Sequence, residues 1–379
     1  MFTESEMELR HSAVRKLLHT DSLNALLLIG DTNIGPDFYG DMRYLTNHRV
    51  IFYRQAVVIL PDSKPVLFLG SNGAQKIEAA SRSSVRDCRV SGNLKADVTE
   101  LLKERGAVAG KIGVSFEMLP TAWHAHLKQA LPQVEWVDVH EQFKKIRFQR
   151  SQEEANIFRK GAAMADGSFE AIIKFIRPGV SEFEIVAEIE RHTRAQGVEE
   201  NFTLITSGRF ALGDGNRLPG IHAPSPRRIE MGDTIEFEIT PRYQGYWTQL
   251  ARRVNVGRPN DVLTEIHTVN LDAIKSGLEQ LKPGRQVADV FSAIESYVTR
   301  CGYKLTPGSG VGHLCGVDLV EARVDGNNEM VLTPGTAVII HPRVFSPDGK
   351  SNNFCGETYL VTQDGYERIN KVGDELLTV

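Results

Sequence analysis

Four side chains stand out for what they could do to a proton. Glu238 lies in the stretch Gly232–Arg253, GDTIEFEITPRYQGYWTQLARR, and His222, His313 and His341 lie in segments punctuated by glycine or proline. An imidazole titrates near neutral pH, and a carboxylate taken out of water changes its hold on a proton, so the set suits general acid–base work. His222 sits in LPGIHAPSP, His313 in GSGVGHLCG (Gly308–Gly316), and His341 between the apolar run TAVII and Pro342. Glycine this dense belongs to a close backbone approach to a ligand rather than to a strand interior. A GxGxG string without a strand–turn–helix context is a weak nucleotide signal. Structural histidines, satisfied within a core, fit the same pattern. Cys88, Cys301, Cys315 and Cys355 show no CxxC spacing and read as reduced thiols of a cytoplasmic protein.

The elements that must position these groups are legible around them. Ile235, Phe237 and Ile239 alternate with Glu236 and Glu238, the period of a strand with one apolar face. A turn over Pro241–Gly245 then returns the chain as a second strand from Tyr246, Trp247 and Thr248. Carboxylates within such a strand are either solvated or gathered at a site. Upstream, Ser151 and Glu154 form a capping box that opens a long helix ending at Arg177-Pro178-Gly179. A second box, Ser181 with Glu184, starts a helix over Phe183–Gln196 that Gly197 closes. The stretch Ile176–Gly197 aligns without gaps on Leu281–Gly302, which points to a duplicated half and two related halves closing on a shared site.

Before residue 140, short apolar strands (Asn24–Gly30, Gln55–Leu60, Pro65–Gly70, Lys111–Ser115) alternate with helices (Glu6–His19, Gly73–Ser81, Lys95–Arg105, Ala122–Ala130), and Asp31–Gly40 is turn-rich. This predicts an α/β (α+β) chain of two domains, 1–140 and 145–379. With 44 Lys and Arg against 48 Asp and Glu, the net charge of −4 gives no reason to expect a nucleic-acid partner. No apolar run is long enough for a membrane span, and the charged start MFTESEMELR lacks a signal-peptide core.

Taken together, DMRYLTNH (Asp41–His48), the duplicated half, the Gly220-Ile221-His222-Ala223-Pro224 loop and the hairpin make the chain resemble the creatinase, aminopeptidase P and prolidase family. The resemblance implies an N-terminal creatinase-type domain and a C-terminal pita-bread domain. It also implies a homodimer in which the partner's N-terminal domain closes the active site. Peptidases of that family hold two metal ions with two Asp, one His and two Glu. Here those positions fall at Glu238, Gln249, His313, His341 and Gly356. The set lacks the anionic oxygens that two divalent ions need, so no metal and no cofactor is expected.

The metal-free creatinase branch is the nearer likeness, although its glutamates fall at Ala251 and His341. On this resemblance His222 is the general acid or base, His313 and His341 stabilise developing negative charge, and Glu238 orients an imidazole. Arg323 and the partner's Arg54 clamp a carboxylate on a small-molecule substrate, with Tyr246 and Gln249 lining it. The implied reaction is metal-independent hydrolysis of a C–N bond, or a related lyase or decarboxylase step. Two alternatives stand beside it: a non-catalytic binding protein, and a metal-dependent Xaa-Pro peptidase with altered ligands, Glu238, His313 and His341 being enough for one ion.

Overall fold

Apolar strands alternating with amphipathic helices build the first of two compact units, Met1–Phe148 and Gln149–Val379. The computed structural model describes residues 2–30, 40–50, 53–70, 73–209, 220–259 and 261–379. The turn-rich 31–40 stretch therefore lies, but for Gly40, outside the described residues. In the first unit the strands are β1 (Leu23–Gly30), β2 (Gln55–Ile59), β3 (Val66–Leu69), β4 (Asp87–Val90), β5 (Ala109–Val114) and β6 (Gln133–Asp138). They form one sheet in the order β4-β3-β2-β1-β5-β6. Among the described residues six helices accompany them: α1 (Glu4–Thr20), α2 (Gly40–Thr46), α3 (Gly73–Arg82), α4 (Leu94–Glu104), α5 (Thr121–Ala130) and α6 (His140–Phe148).

Two of those strands and α6 escape a reading by periodicity. β4 is only partly buried and β6 alternates weakly, so neither shows an apolar run. The first unit extends to Phe148 because α6 belongs to it: Phe143 is buried edge-on against Tyr44, and the buried Arg147 pairs with Asp41 at 3.3 Å.

The second unit opens with α7 (Gln152–Phe175) and α8 (Glu182–Arg194), and both begin with complete capping boxes. Then follow β7 (Glu200–Gly208), β8 (Thr234–Tyr243), β9 (Tyr246–Trp247) and β10 (Leu250–Asn255). The second half has α9 (Asp261–Leu278), α10 (Val287–Arg300), β11 (Lys304–Leu305), β12 (Gly312–Leu314), β13 (Ala322–Arg323) and β14 (Ala337–Ile340). The last strands needed here are β15 (Arg343–Phe345), β16 (Asn352–Phe354) and β17 (Gly356–Val361). The main sheet runs β13-β12-β14-β17-β10-β8-β7, and β11, β15 and β16 form a smaller one.

The two aligned stretches adopt matching structure. Each has a glycine of positive φ in its entry turn (Gly179, Gly284), a helix with a capping box, and a closing glycine of positive φ (Gly197, Gly302). The hairpin differs from expectation in its turn. β8 continues through Pro241 to Tyr243, and the reversal is the two-residue Gln244-Gly245 turn with φ of 48° and 90°. Both central residues in the left-handed region match the twist of paired strands.

One face of the main sheet packs on the helices. Ile235, Phe237, Ile239, Leu250 and Val254 meet Phe169, Ile172, Ile185 and Ile189, while Leu314, Val338 and Ile340 meet Val290, Ile294 and Val298. Alternation therefore turns Glu236, Glu238, Gln249, Ala251, His313 and His341 to the opposite face. Among the described residues, no helix is long and apolar enough to cross a membrane.

Candidate active site

Register across the sheet decides which side chains meet. Glu238 pairs with Ala251 and Ala251 with Gly356. One step beyond the Ile340–Glu357 pair, His341 comes over Gly356. A neighbouring row holds Arg323, His313, Ile339 and Thr358, and the Gln249 backbone N–H donates to Thr358 Oγ1 at 2.8 Å. At about 4.8 Å per strand, Glu238 and His341 start roughly 14 Å apart along their row. Only the methyl of Ala251 and the bare Gly356 stand between them.

Gly356 is required for that arrangement. A Cβ there would lie 1.9 Å from the Ile340 carbonyl oxygen and 2.5 Å from His341 Cα, both backbone atoms. Gly356→Ala is therefore expected to lower stability by about 1–3 kcal/mol, the range for forced overpacking that backbone must absorb. Chemical denaturation checks it, and an unchanged midpoint would show that β14 shifts freely.

The acid of the row is out of water. Glu238 is 8% exposed, and burial raises its carboxyl pKa to about 7 against the opposing pull of Arg343. The Gln249 amide approaches it and favours the ionised form, short of a well-formed hydrogen bond. Gln249 is 1% exposed, and among the described residues neither its amide oxygen nor its nitrogen makes a well-formed hydrogen bond; nor does the Thr240 hydroxyl on the same face.

His313 and His341 stack edge-on with ring centroids 5.3 Å apart, and His341 also meets Phe354 at 4.9 Å. Burial lowers His313 to about 4 and His341 to about 3, with His313 adding to the latter. Both are neutral at pH 7, so each ring carries one N–H, and His313 Nδ1 lies 3.3 Å from the Leu314 carbonyl oxygen.

Other expected members are placed differently. Among the described contacts, Glu238 makes no hydrogen bond to an imidazole. His222 is exposed beside β7, bridged to Ile205, with Nδ1 2.6 Å from the Ala223 carbonyl oxygen. No described contact joins it to Glu238, His313 or His341. Tyr246 is buried, donates its hydroxyl to Glu154 at 2.7 Å and packs on Phe158, and so secures α7. Arg323 is exposed and directly opposite His313. Arg54 is half-buried in the first unit, just before β2.

The residues do not fit a two-metal centre. Of the five positions the family resemblance assigns to ligands, only Glu238 is an acid, Gln249 is an amide, and Gly356 has neither a side chain nor room for one. Glu357 points to the other face, bound by Arg252 and Arg368. Among the described residues, no three His, Cys, Asp or Glu come together so as to hold an ion, so Glu238, His313 and His341 form no such cluster.

A residue that sequence patterns miss completes this face. Arg343 donates to Glu236 Oε1 and, at 2.7 Å, to Asn352 Oδ1, and its guanidinium lies 4.5 Å above the Phe354 ring. Its placement depends on a second sheet, which no local spacing reveals.

A two-unit α/β chain whose second unit buries an acid and two neutral histidines on one sheet face belongs with hydrolases built on this duplicated scaffold. Comparison with known proteins makes that specific: residues 156–363 match metallopeptidase family M24 and residues 10–149 match the Creatinase/Prolidase N-terminal domain, and the chain belongs to that family. It is 30% identical over 263 residues to an Xaa-Pro dipeptidase of Pyrococcus horikoshii, spanning 68% of this chain and 73% of the relative. It is 26% identical to the creatinase of a Bacillus species, spanning 98% of this chain and 92% of that one. Among solved structures, an Xaa-Pro dipeptidase from Bacillus anthracis superposes with a TM-score of 0.82 at 26% identity, covering 98% of this chain and all of the other.

Proposed function

We propose that this chain hydrolyses a carbon–nitrogen bond in a small carboxylate-bearing substrate by side-chain acid–base chemistry. The observation that carries the reading is the row itself: a buried acid, Glu238, and His341 flank Ala251 and Gly356, and the Gln249 amide approaches the acid. Glu238 takes a proton from water as its oxygen adds to the substrate carbon, and returns it to the nitrogen as the C–N bond breaks. The N–H of neutral His341 donates to the atom on which negative charge builds, and His313, its Nδ1 turned to the Leu314 carbonyl oxygen at 3.3 Å, packs edge-on against that ring. Glu238 thereby takes the role that sequence reasoning gave to His222. Closure of the site by a second subunit's N-terminal domain, with Arg54, forms part of the proposal.

A metal-dependent Xaa-Pro peptidase is the second reading, and the relatives favour it directly, since Xaa-Pro dipeptidases recur among them in sequence and in structure. Metal content separates the two. Protein expressed with Mn, Fe and Zn supplied and dialysed without chelator is expected to retain well below one ion per subunit. Its hydrolysis of Ala-Pro or creatine is expected to survive EDTA. About two ions per subunit, with activity lost to EDTA and restored by metal, would establish the peptidase instead.

A further inference from the structure

We infer that Arg343 anchors an anionic group of the substrate, a carboxylate by class, above Ala251 between Glu238 and His341, an inference that rests on the hydrolase reading. Three observations converge on this residue. Its guanidinium is fixed before any ligand arrives, by Glu236, Asn352 and the Phe354 ring, so little ordering is lost on binding. Only two of its five N–H donors are engaged in those hydrogen bonds, and its side chain is 12% exposed, so it is not sealed in the core.

Position supplies the second argument. Arg343 lies two residues after His341, and Phe354, on which it rests, also meets the His341 ring. Glu236, which it binds, is on the same strand face as Glu238 two residues away. Its charge acts on both ends of the row: behind the larger influence of burial, it favours the ionised carboxyl of Glu238 and the neutral imidazole of His341. A group reached by both Glu238 and His341 is therefore within the field of Arg343.

Charge supplies the third. Glu236 bridges Arg253 and Arg343, one carboxylate between two guanidinium groups. Arg253 is fully buried and is further engaged by the Asn352 carbonyl, so the formal positive charge left over is presented at Arg343. A planar guanidinium with N–H donors left over matches a carboxylate in a way that an ammonium cannot reproduce.

Calorimetry on the full chain tests the inference, with Glu238→Gln as background so that turnover does not contribute heat. The probes are Ala-Pro and creatine, each paired with a neutral form, Ala-Pro amide and creatine ethyl ester. The carboxylates are expected to bind roughly 10- to 100-fold more tightly than their neutral forms, the worth of one charge-assisted contact. Arg343→Met should remove that advantage and leave the neutral probes unchanged, and Arg343→Lys should restore only part of it.

Equal binding of charged and neutral probes, no binding of either carboxylate, or equal weakening of all probes in Arg343→Met would each overturn the anchor. Should Arg343→Met fail to fold, the comparison of charged with neutral probes and Arg343→Lys, which keeps a cation beside Glu236, still decide. Failure of the hydrolase reading is distinct: carboxylates would bind in the expected order while wild-type protein hydrolysed neither Ala-Pro nor creatine.

Discussion

Glu238→Gln is expected to lower kcat/KM by about 10²–10⁴-fold, the range for loss of a positioned acid–base group. Glutamine keeps the volume and a hydrogen-bonding end in a position 8% exposed, so lost activity would not reflect a collapsed site. The pH profile supplies the sharper test. With the Glu238 pKa raised to about 7 by burial, the fraction of active base grows as pH climbs through that value. Wild-type kcat/KM should rise across pH 6–8 and level off, and the variant should show a flat residual rate. A variant that retains wild-type activity, or the same profile, would remove Glu238 from the mechanism.

Folding reports on the same group with the opposite sign. Its folded pKa lies above the ordinary 4.5, so the stabilisation it gives is complete below 4.5 and is lost as pH rises through about 7. The loss is on the order of 3 kcal/mol for a shift of that size. Glu238→Gln removes it, so the variant should melt no lower than wild type at pH 8 and should gain on it between pH 5 and 8. Decreased activity together with increased alkaline stability is the pattern of a buried acid kept for chemistry.

What the sequence disclosed was local. Capping boxes at Ser151 and Ser181, the alternation of Ile235, Phe237 and Ile239, and the glycine-closed helices of the duplicated halves are read within a few residues, and the structure forms them. The site is non-local. Glu238 and His341 share a row only because β8, β10, β17 and β14 pair in one particular register, and a shift of one residue would turn either to the helices. His222 looked equivalent to the other histidines because proline and glycine flank all three. Flanking residues set backbone shape, but not which face of which strand a ring reaches. Alternation alone leaves Glu236 either solvated or gathered at a site, and it is fully buried because arginines 17 and 107 residues away meet it there.

That buried carboxylate carries the largest expected effect on folding. Glu236→Ala should cost about 3–5 kcal/mol, because it leaves Arg253 buried on all sides without its counter-ion. Burial alone would raise the Glu236 pKa, but Arg343 and Arg253 outweigh it and hold the carboxyl below its ordinary 4.5. Its contribution to stability is thus present above pH 4.5 and is lost as pH falls through the lowered folded value. Urea unfolding should show the wild-type advantage over Glu236→Ala shrinking on acidification and constant above neutrality. A second substitution distinguishes the ion pair from simple packing. In Glu236→Ala with Arg253→Met, the stranded charge is gone, so the double variant should be more stable than Glu236→Ala alone. A double variant that sums the two losses would mean that Glu236 acts through its volume. Arg343 would then need Asn352 and Phe354 alone to hold it over the row.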